Sequence, residues 1–442
     1  MAQNSSSRRT RILSVRKLNT PLPNNDPNTD EYLAARWNDE VRRNSPEALI
    51  LQEAAEALRN TNTPVAFPTE TVYGLAADAT RSEAVRGIYA AKQRPSDNPL
   101  IVHVSSRHQL LRLLNQSQNA DIAIPDIYEP LISRFWPGPL TIILPIPSPS
   151  PLAKEVTSTL QTFGVRMPSS PLARLLIYAA DRPLAAPSAN ASTKPSPTTA
   201  HHVFTDMDGR IDIILDGGPC GVGVESTVVD GLSHPPAILR PGGIGIREIQ
   251  SVPGWENVEI GYKDKALTAD DSAPRAPGMK YKHYSPKAKV VLFRAGTSTD
   301  TVIERLRADA QDKNANKFDT GPVGIVRTTN WPEGLSLPLI RLREQRRGDV
   351  QQTTESVDVG DMLTIRHLST DPIQDLHTLP KILDINIGTT TESIARNLFY
   401  ALRALDEENA SVIYVEGISD TDGDLAQAIM NRLRKAAEEE VK

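Results

Sequence analysis

A single cysteine, Cys220, stands in 442 residues, so no intrachain disulfide can form. Packing alone must hold the fold, and the chain suits a reducing compartment such as the cytoplasm better than secretion. Aromatic residues are scarce at 5%, which leaves few platforms on which single-stranded RNA bases could stack. No apolar run approaches the roughly 20 residues of a membrane-spanning helix. No Gly-Lys-Ser/Thr ending closes a P-loop and no run matches the dinucleotide fingerprint, so any nucleotide site here is of another type. Zinc spacing of Cys and His is missing, as is a Gly-x-Ser-x-Gly elbow, and hydrolase readings through Ser188 or Ser226 lose their support. The formal charge of -5 argues against a non-specific polyanion binder but leaves room for local basic pockets.

What is present reads as globular: 39% hydrophobic and 23% charged residues, at a length that implies two or three units. Residues 1–45 are expected to be disordered or extended. Arg8, Arg9, Arg11, Arg16 and Lys17 occur there within 25 residues that hold no acid before Asp26, a pattern shared by mitochondrial transit segments and by plain tails. A mitochondrial form is therefore kept beside the cytoplasmic one. From Pro46 the periodicity alternates between helical and strand-like. Leu49, Ala54, Ala55 and Leu58 mark a helix face, and strands are expected at Val65–Phe67, Leu100–Val104, Leu140–Leu144, Phe163–Met167, Ile211–Leu215, Thr227–Val229 and Ala237–Leu239. Helices between short strands predict an α/β domain over 46–262, a twisted sheet with flanking helices. Residues 263–288, rich in charge, Ala and Pro, predict a linker. Over 289–442 buried strands at Lys289–Phe293, Pro322–Val326, Ile382–Ile387 and Val412–Val415, with a helix carrying Ile394, Leu398, Ala401, Leu402 and Leu405, predict a smaller Rossmann-like, doubly wound α/β domain. Arg341, Arg343, Arg346 and Arg347, diluted by acids, are expected in a solvated loop.

Polar residues collect at strand ends between Pro68 and Arg240, where α/β proteins form ligand sites. Pro68–Leu75, PTETVYGL, packs two hydroxyls, a carboxylate and a phenol behind a strand. Lys92 and Arg94 end a helix. They either satisfy its last carbonyls or turn together toward a phosphate chain. Asn98 follows. His103 lies between Val102 and Val104, and alternation puts it on the opposite face from both. Arg166 is flanked by apolar residues and must have an anion partner, either structural or a substrate carboxylate. Pro187–Asn190 and Pro195–Thr198 are Pro-stiffened loops bearing hydroxyls and an amide. Asp216–Thr227 is Gly-rich ahead of a strand, and Arg240 adds a cation at a strand end.

Together, PTETVYGL, KQRPSDNPLIVHV at Lys92–Val104, WPGPLT at Trp136–Thr141, GVRMP, PSAN and GVGVESTVVD at Gly221–Asp230 resemble the YrdC-like threonylcarbamoyl-AMP synthases, and APGMKYKHYSP at Ala276–Pro286 resembles the linker of their long two-domain form. The resemblance implies a nucleotidyltransferase that joins ATP, L-threonine and bicarbonate into L-threonylcarbamoyl-AMP and pyrophosphate, for modification of the adenosine beside the anticodon of tRNAs that read codons beginning with A. It implies Thr71, His103, Arg166, Ala186 and Ser226 around threonine. It implies Arg94, Asn98, Thr162, Ser188, Ser196, Arg240 and Tyr284 around ATP, with Lys92 and Arg94 as the catalytic cations. Mg2+ on the phosphates, a downstream tRNA threonylcarbamoyltransferase complex, some contact with tRNA and no membrane association also follow. Residues Gly278–Ser285 are expected to close over the pocket as a lid. One position departs from the pattern: Thr193 follows Ser192 where the family usually has Gly, which unsettles the backbone there. The alternative to an enzyme is a non-catalytic RNA-binding or regulatory module on the same fold.

Overall fold

The computed structural model describes residues 8–20, 30–95, 98–115, 122–262, 284–311, 321–347, 363–370 and 381–441. Two compact units emerge: one runs to Ser192 and from Ser196 to Tyr281, the other holds Thr193–Pro195 and the chain from Lys282 onward. The expected linker and lid fall mostly outside the described residues.

The first unit is built on an eleven-stranded mixed sheet. Its order is Arg11–Ser14, Ile213–Asp216, Val65–Pro68, Tyr73–Asp78, Leu184–Ala185, Ile101–His103, Thr162–Arg166, Leu140–Pro145, Thr227–Asp230, Ala237–Arg240, Glu259–Ile260. Helix Pro46–Asn60 begins where its sequence instructs: the Ser45 hydroxyl accepts the Ala48 N–H at 3.1 Å, and Pro46 occupies the first turn, where no backbone donor is needed. Its buried face is Ala48, Leu51, Ala54, Ala55 and Leu58, while Leu49, expected on that face, is 53% exposed. Ala48 has the i, i+3, i+7 relation to Leu51 and Ala55 that Leu49 lacks.

Alternation gives the central strands two distinct faces. Phe163 and Val165 enter the main core with Leu140, Ile142, Leu144, Val102 and Val104. Facing the other way is a smaller apolar strip of Ile101, Ile143, Val228, Ala237 and Leu239.

Part of the amino-terminal segment, left outside the fold by the sequence reading, joins it. Arg11–Ser14 pairs parallel with Ile213–Asp216, and Glu31–Arg42 is helical with Leu33 buried. The basic residues are held by acids distant in sequence: Arg8 with Asp212 at 3.0 Å, Arg11 with Glu53 at 2.5 Å and Arg16 with Asp216 at 3.0 Å. Local composition could not reveal partners that the chain supplies 40 to 200 residues later.

The second unit carries a seven-stranded sheet ordered Leu339–Arg347, Leu363–Thr370, Ile382–Asn386, Val323–Arg327, Val412–Glu416, Lys289–Phe293, Glu439–Val441. The strands from Ile382–Asn386 to Glu439–Val441 are parallel, as a doubly wound domain requires, but the first two pair antiparallel. Arg341 and Arg343 therefore sit in a strand, not a loop. Arg341, Leu342, Arg343 and Glu344 are all exposed in succession, so the described middle of the strand offers no in–out alternation for periodicity to find. Near the sheet's middle, Arg327 grips Asp384 through Nε and Nη2 at 2.8–2.9 Å, with both side chains almost wholly buried.

Removing the acid from that pair strands a buried guanidinium. Asp384→Ala should destabilise the second unit by about 3 to 5 kcal/mol, read as a lowered urea midpoint of its transition. A midpoint within error of the parent would show that the pair contributes nothing. Thr193 has φ of 77°, the left-handed region that penalises a β-branched residue. Thr193→Gly should raise the thermal midpoint, relieving about 1 kcal/mol or more of backbone strain. A lower midpoint would mean that the side chain's contacts outweigh the strain.

Candidate active site

The site grows from one transverse row of the first unit's sheet. Arg166 is the register partner of His103 on one side and of Thr141 on the other, and Thr141 is in turn the partner of Val228. Residues directly opposite in a ladder share a face, so His103, Arg166 and Thr141 project together, away from the core that holds Val102, Val104, Val165 and Ile142.

The Arg166 guanidinium, 4% exposed, is fixed by three donations: Nε to the Gly138 carbonyl at 3.2 Å, Nη1 to Thr71 Oγ1 at 2.9 Å and Nη2 to Glu70 Oε1 at 2.5 Å. Its anion partner in this structure is therefore Glu70. The segment that supplies Glu70 and Thr71 is pinned by the Gly-rich stretch, because Val222 N–H donates to the Glu70 carbonyl at 2.8 Å and Gly223 N–H to that of Thr71 at 3.0 Å. Thr141 Oγ1 lies 2.8 Å from Ser226 Oγ, and Arg240 Nη2 donates to Ser226 O and Oγ, each at 2.9 Å. Gly242 lets the chain after Arg240 cross this segment. A Cβ there would sit 2.3 Å from Glu225 O and Thr227 N, a distance no side chain tolerates. Ser196 joins the cluster by donating to Glu225 Oε1 at 2.6 Å. Ala186 is tied to the His103 strand through its N–H to Ile101 O at 3.0 Å.

Beside this cluster lies the Pro187–Asn190 loop. Helix Ser82–Lys92 starts with Arg81 at its cap position and ends at Gln93 in the left-handed conformation. Lys92, 2% exposed, drives its ammonium into the loop, donating to the Ser188 carbonyl, to Asn190 O at 2.7 Å and to Asn190 Oδ1 at 3.3 Å. Its charge is used to shape the loop. Arg94, half-buried, follows the helix end. Asn98 is fully buried, yet neither its side-chain oxygen nor its nitrogen has a partner among the described residues. A buried amide in that condition is costly unless something else completes it.

Thr162 stands at the opposite end of the Arg166 strand, about 13 Å away at 3.3 Å per residue. It lines a cavity of about 340 Å³ with Ile143, Asp230, Ser233 and Leu239, on the face of the apolar strip. Tyr284 belongs to the second unit, stacked on Phe399 at 5.1 Å with Arg432 5.7 Å from its ring. Glu70 and Thr141 were not singled out from sequence. Both lay inside quoted motifs, and the signal for Thr141 was a hydroxyl alternating with Leu140 and Ile142 in a strand.

Burial pushes the His103 imidazole down to about 3, helped first by the charge of Arg166, while the carbonyls of Ile101 and Leu184 pull the other way and the charge of Arg240 adds the smallest lowering. A neutral ring between two guanidinium groups can donate and accept hydrogen bonds without adding a third charge.

Two family models match the chain: one described as Telomere recombination, of the Sua5, YciO and YrdC group, spans residues 57–242, and the threonylcarbamoyl-AMP synthase C-terminal domain spans 244–438. The threonylcarbamoyl-AMP synthase of Schizosaccharomyces pombe is 46% identical over 405 residues, 88% of each chain, and that of Bacillus subtilis is 39% identical over 406 residues, 91% of this chain and 97% of its own. The chain belongs to the threonylcarbamoyl-AMP synthase family. It is accordingly an enzyme, and its two-unit α/β architecture is the family's. A crystal structure of Pyrococcus abyssi Sua5 complexed with L-threonine is 38% identical, covers 89% of this chain and 96% of its own, and superposes with a TM-score of 0.66. A doubly substituted variant of the same protein covers 98% of both chains at a TM-score of 0.69.

Because the folded imidazole titrates far below its unfolded value of about 6.5, the fold is stabilised above that pH and loses stability as pH falls through about 6 toward 3, by at most about 1.4 kcal/mol per unit. NMR titration should find His103 neutral at pH 5. A midpoint near 6.5 would contradict the burial argument.

Proposed function

We propose that the chain condenses ATP, L-threonine and bicarbonate into L-threonylcarbamoyl-AMP and pyrophosphate. The observation that carries this is the placement of two hydrogen-bonded groups, Thr71 with Arg166 and Thr141 with Ser226 and Arg240, on adjacent strands through the register pair Arg166 and Thr141, with neutral His103 on the other side of Arg166 and the unsatisfied Asn98 amide buried in the same unit. In this reading Thr71, His103, Arg166, Ala186 and Ser226 surround threonine, whose carboxylate pairs with Arg166. Arg94, Asn98, Ser188, Ser196 and Arg240 take the phosphates and ribose, and the cavity beside Thr162 takes the base. Tyr284 is the remaining residue assigned to the nucleotide, and it belongs to the second unit.

Carboxylation of the amine gives a carbamate whose oxygen attacks the α-phosphate. No protein nucleophile is needed. The site has to align two reactants and neutralise phosphate charge, which fixed guanidinium groups and hydroxyls do without reorganising. Lys92 contributes by holding the Ser188–Asn190 loop in shape. Magnesium would enter with the triphosphate as part of the substrate, since the described residues gather no group of three or more His, Cys, Asp or Glu side chains able to hold an ion. The adenylate then suits a downstream transferase that modifies the adenosine next to the anticodon. No helix among the described residues is long and apolar enough to cross a membrane. The cytoplasm is the expected location, with a mitochondrial form as the alternative.

Pyrophosphate release should require ATP, threonine and bicarbonate together, and omission of any one should abolish it. Release without threonine, or salt-sensitive tRNA retention with no turnover, would overturn the proposal in favour of a binding module. Arg166→Ala should cut threonine-dependent kcat/KM by about 2 to 5 kcal/mol, or roughly 30- to 5,000-fold, with the fold checked by circular dichroism. An unchanged threonine response would remove Arg166 from the site.

A further inference from the structure

We propose that Glu70 receives the ammonium group of threonine and takes a proton from it before the amine is carboxylated. The assignment rests on the reading above, in which Arg166 holds the threonine carboxylate.

An amino acid arrives as a zwitterion, and its nitrogen has no lone pair until a proton leaves. The cluster is rich in groups that cannot help. Arg166 and Arg240 repel an ammonium and accept nothing, and the Lys92 ammonium faces loop carbonyls. His103 could accept a hydrogen bond, but burial and the two neighbouring guanidinium groups oppose its protonation. Glu225 already accepts from Ser196. Glu70 differs: Oε1 takes Arg166 Nη2, while Oε2 is buried with no donor among the described residues. The Cys220 thiol lies near the pair and is pushed well up by burial and by Glu70, so it stays protonated and adds no charge.

Donor counting on Arg166 points the same way. Of five N–H groups, Nε serves Gly138, one on Nη1 serves Thr71 and one on Nη2 serves Glu70. One N–H remains on each terminal nitrogen, enough for a substrate carboxylate without displacing Glu70. A guanidinium with a carboxylate at its side presents the mirror charges of an amino acid zwitterion, carboxylate against Arg166 and ammonium against Glu70. The backbone bonds from Val222 and Gly223 fix the segment that bears Glu70, so the carboxylate is positioned in advance.

The step balances as follows. Glu70 gains one proton and threonine becomes a neutral amine. Bicarbonate separates into carbon dioxide and hydroxide, and the nitrogen lone pair forms the C–N bond as one C=O π pair moves onto oxygen. The second nitrogen proton passes to the hydroxide, giving water and the carbamate, and Glu70 returns its proton to solvent.

The test is equilibrium binding to the full chain of L-threonine and of 2,3-dihydroxybutanoate, which has a hydroxyl in place of the ammonium, with the parent, Glu70→Gln and Glu70→Asp. The parent should prefer threonine at least tenfold. Glu70→Gln should lose at least tenfold on threonine and little on the hydroxy acid, Glu70→Asp should keep most of the preference, and kcat/KM of Glu70→Gln for pyrophosphate release should recover as pH rises and free amine becomes available. Equal or tighter threonine binding by Glu70→Gln would overturn the assignment, making Glu70 a stand-in that the substrate carboxylate displaces. Equal loss on both ligands would also overturn it, leaving Glu70 as a support for Arg166. A folded parent that binds no threonine would remove the reading of the site itself, and the assignment with it.

Discussion

A guanidinium placed in the middle of a sheet is the constraint around which the first unit is arranged. Arg166 occupies a strand whose Phe163 and Val165 belong to a packed interior, and an unpaired charge there would cost more than the marginal stability of a domain allows. Its three fixed partners come from separate segments: Glu70 and Thr71 after one strand, Gly138 before another. The first of these is held by Val222 and Gly223, and the stretch that contains them leads to Ser226, which Arg240 clasps. Satisfying one buried cation thus ties the Glu70–Thr71 segment to Gly138, and through Val222 and Gly223 to the Gly-rich stretch that leads to Ser226. The same bonds that make the fold tolerable make the site rigid.

The alternation of apolar and polar residues made much of this arrangement readable from sequence. His103 between two valines was placed on the correct face because the strand period is strict, and the requirement that Arg166 find an anion follows from its neighbours alone. What alternation could not supply was the identity of that anion. Glu70 is 96 residues away in sequence, and the contact exists only because the Tyr73–Asp78 strand, hidden inside a motif read for its polar chemistry, turns back on Val65–Pro68. The amino-terminal strand escaped for a related reason: its burden of arginine looks like a tail until Asp212, Asp216 and Glu53 are folded against it. In the second unit the parallel strands were legible as apolar runs, whereas in Leu339–Arg347 the apolar residues stop at Leu342 and the exposed Arg341, Arg343 and Glu344 read as a solvated segment.

The two sheets treat their carboxyl edges differently. In the second unit the connections after Val323–Arg327 and after Val412–Glu416 leave toward opposite sides, the arrangement that opens a crevice for ligands in doubly wound folds. Glu416 fills it. Its carboxylate, 1% exposed, accepts the backbone N–H groups of Thr328 at 2.7 Å, Asn330 at 2.6 Å and Trp331 at 3.1 Å, the donors that would otherwise face an anion. The chain thus supplies its own anion there. The first unit leaves a buried amide at Asn98 and one oxygen of Glu70 without partners among the described residues, and beside Glu416 the Thr328 hydroxyl is in the same state.

Counting cations in a motif therefore says little about which of them can act. Lys92 and Arg166 are both buried and both drawn from segments shared with the family. Lys92 spends its three N–H donors on the Ser188–Asn190 loop, so its charge is largely matched by carbonyl dipoles before any ligand arrives. Arg166, with five donors and three acceptors among the described residues, keeps both charge and direction in reserve. The planar fork makes that possible: it can be anchored on one edge and still present N–H groups on another, which a single ammonium cannot do. An Arg in the strand and a Lys at the helix end follow from those two geometries, and exchanging them would unmake both the loop and the pocket.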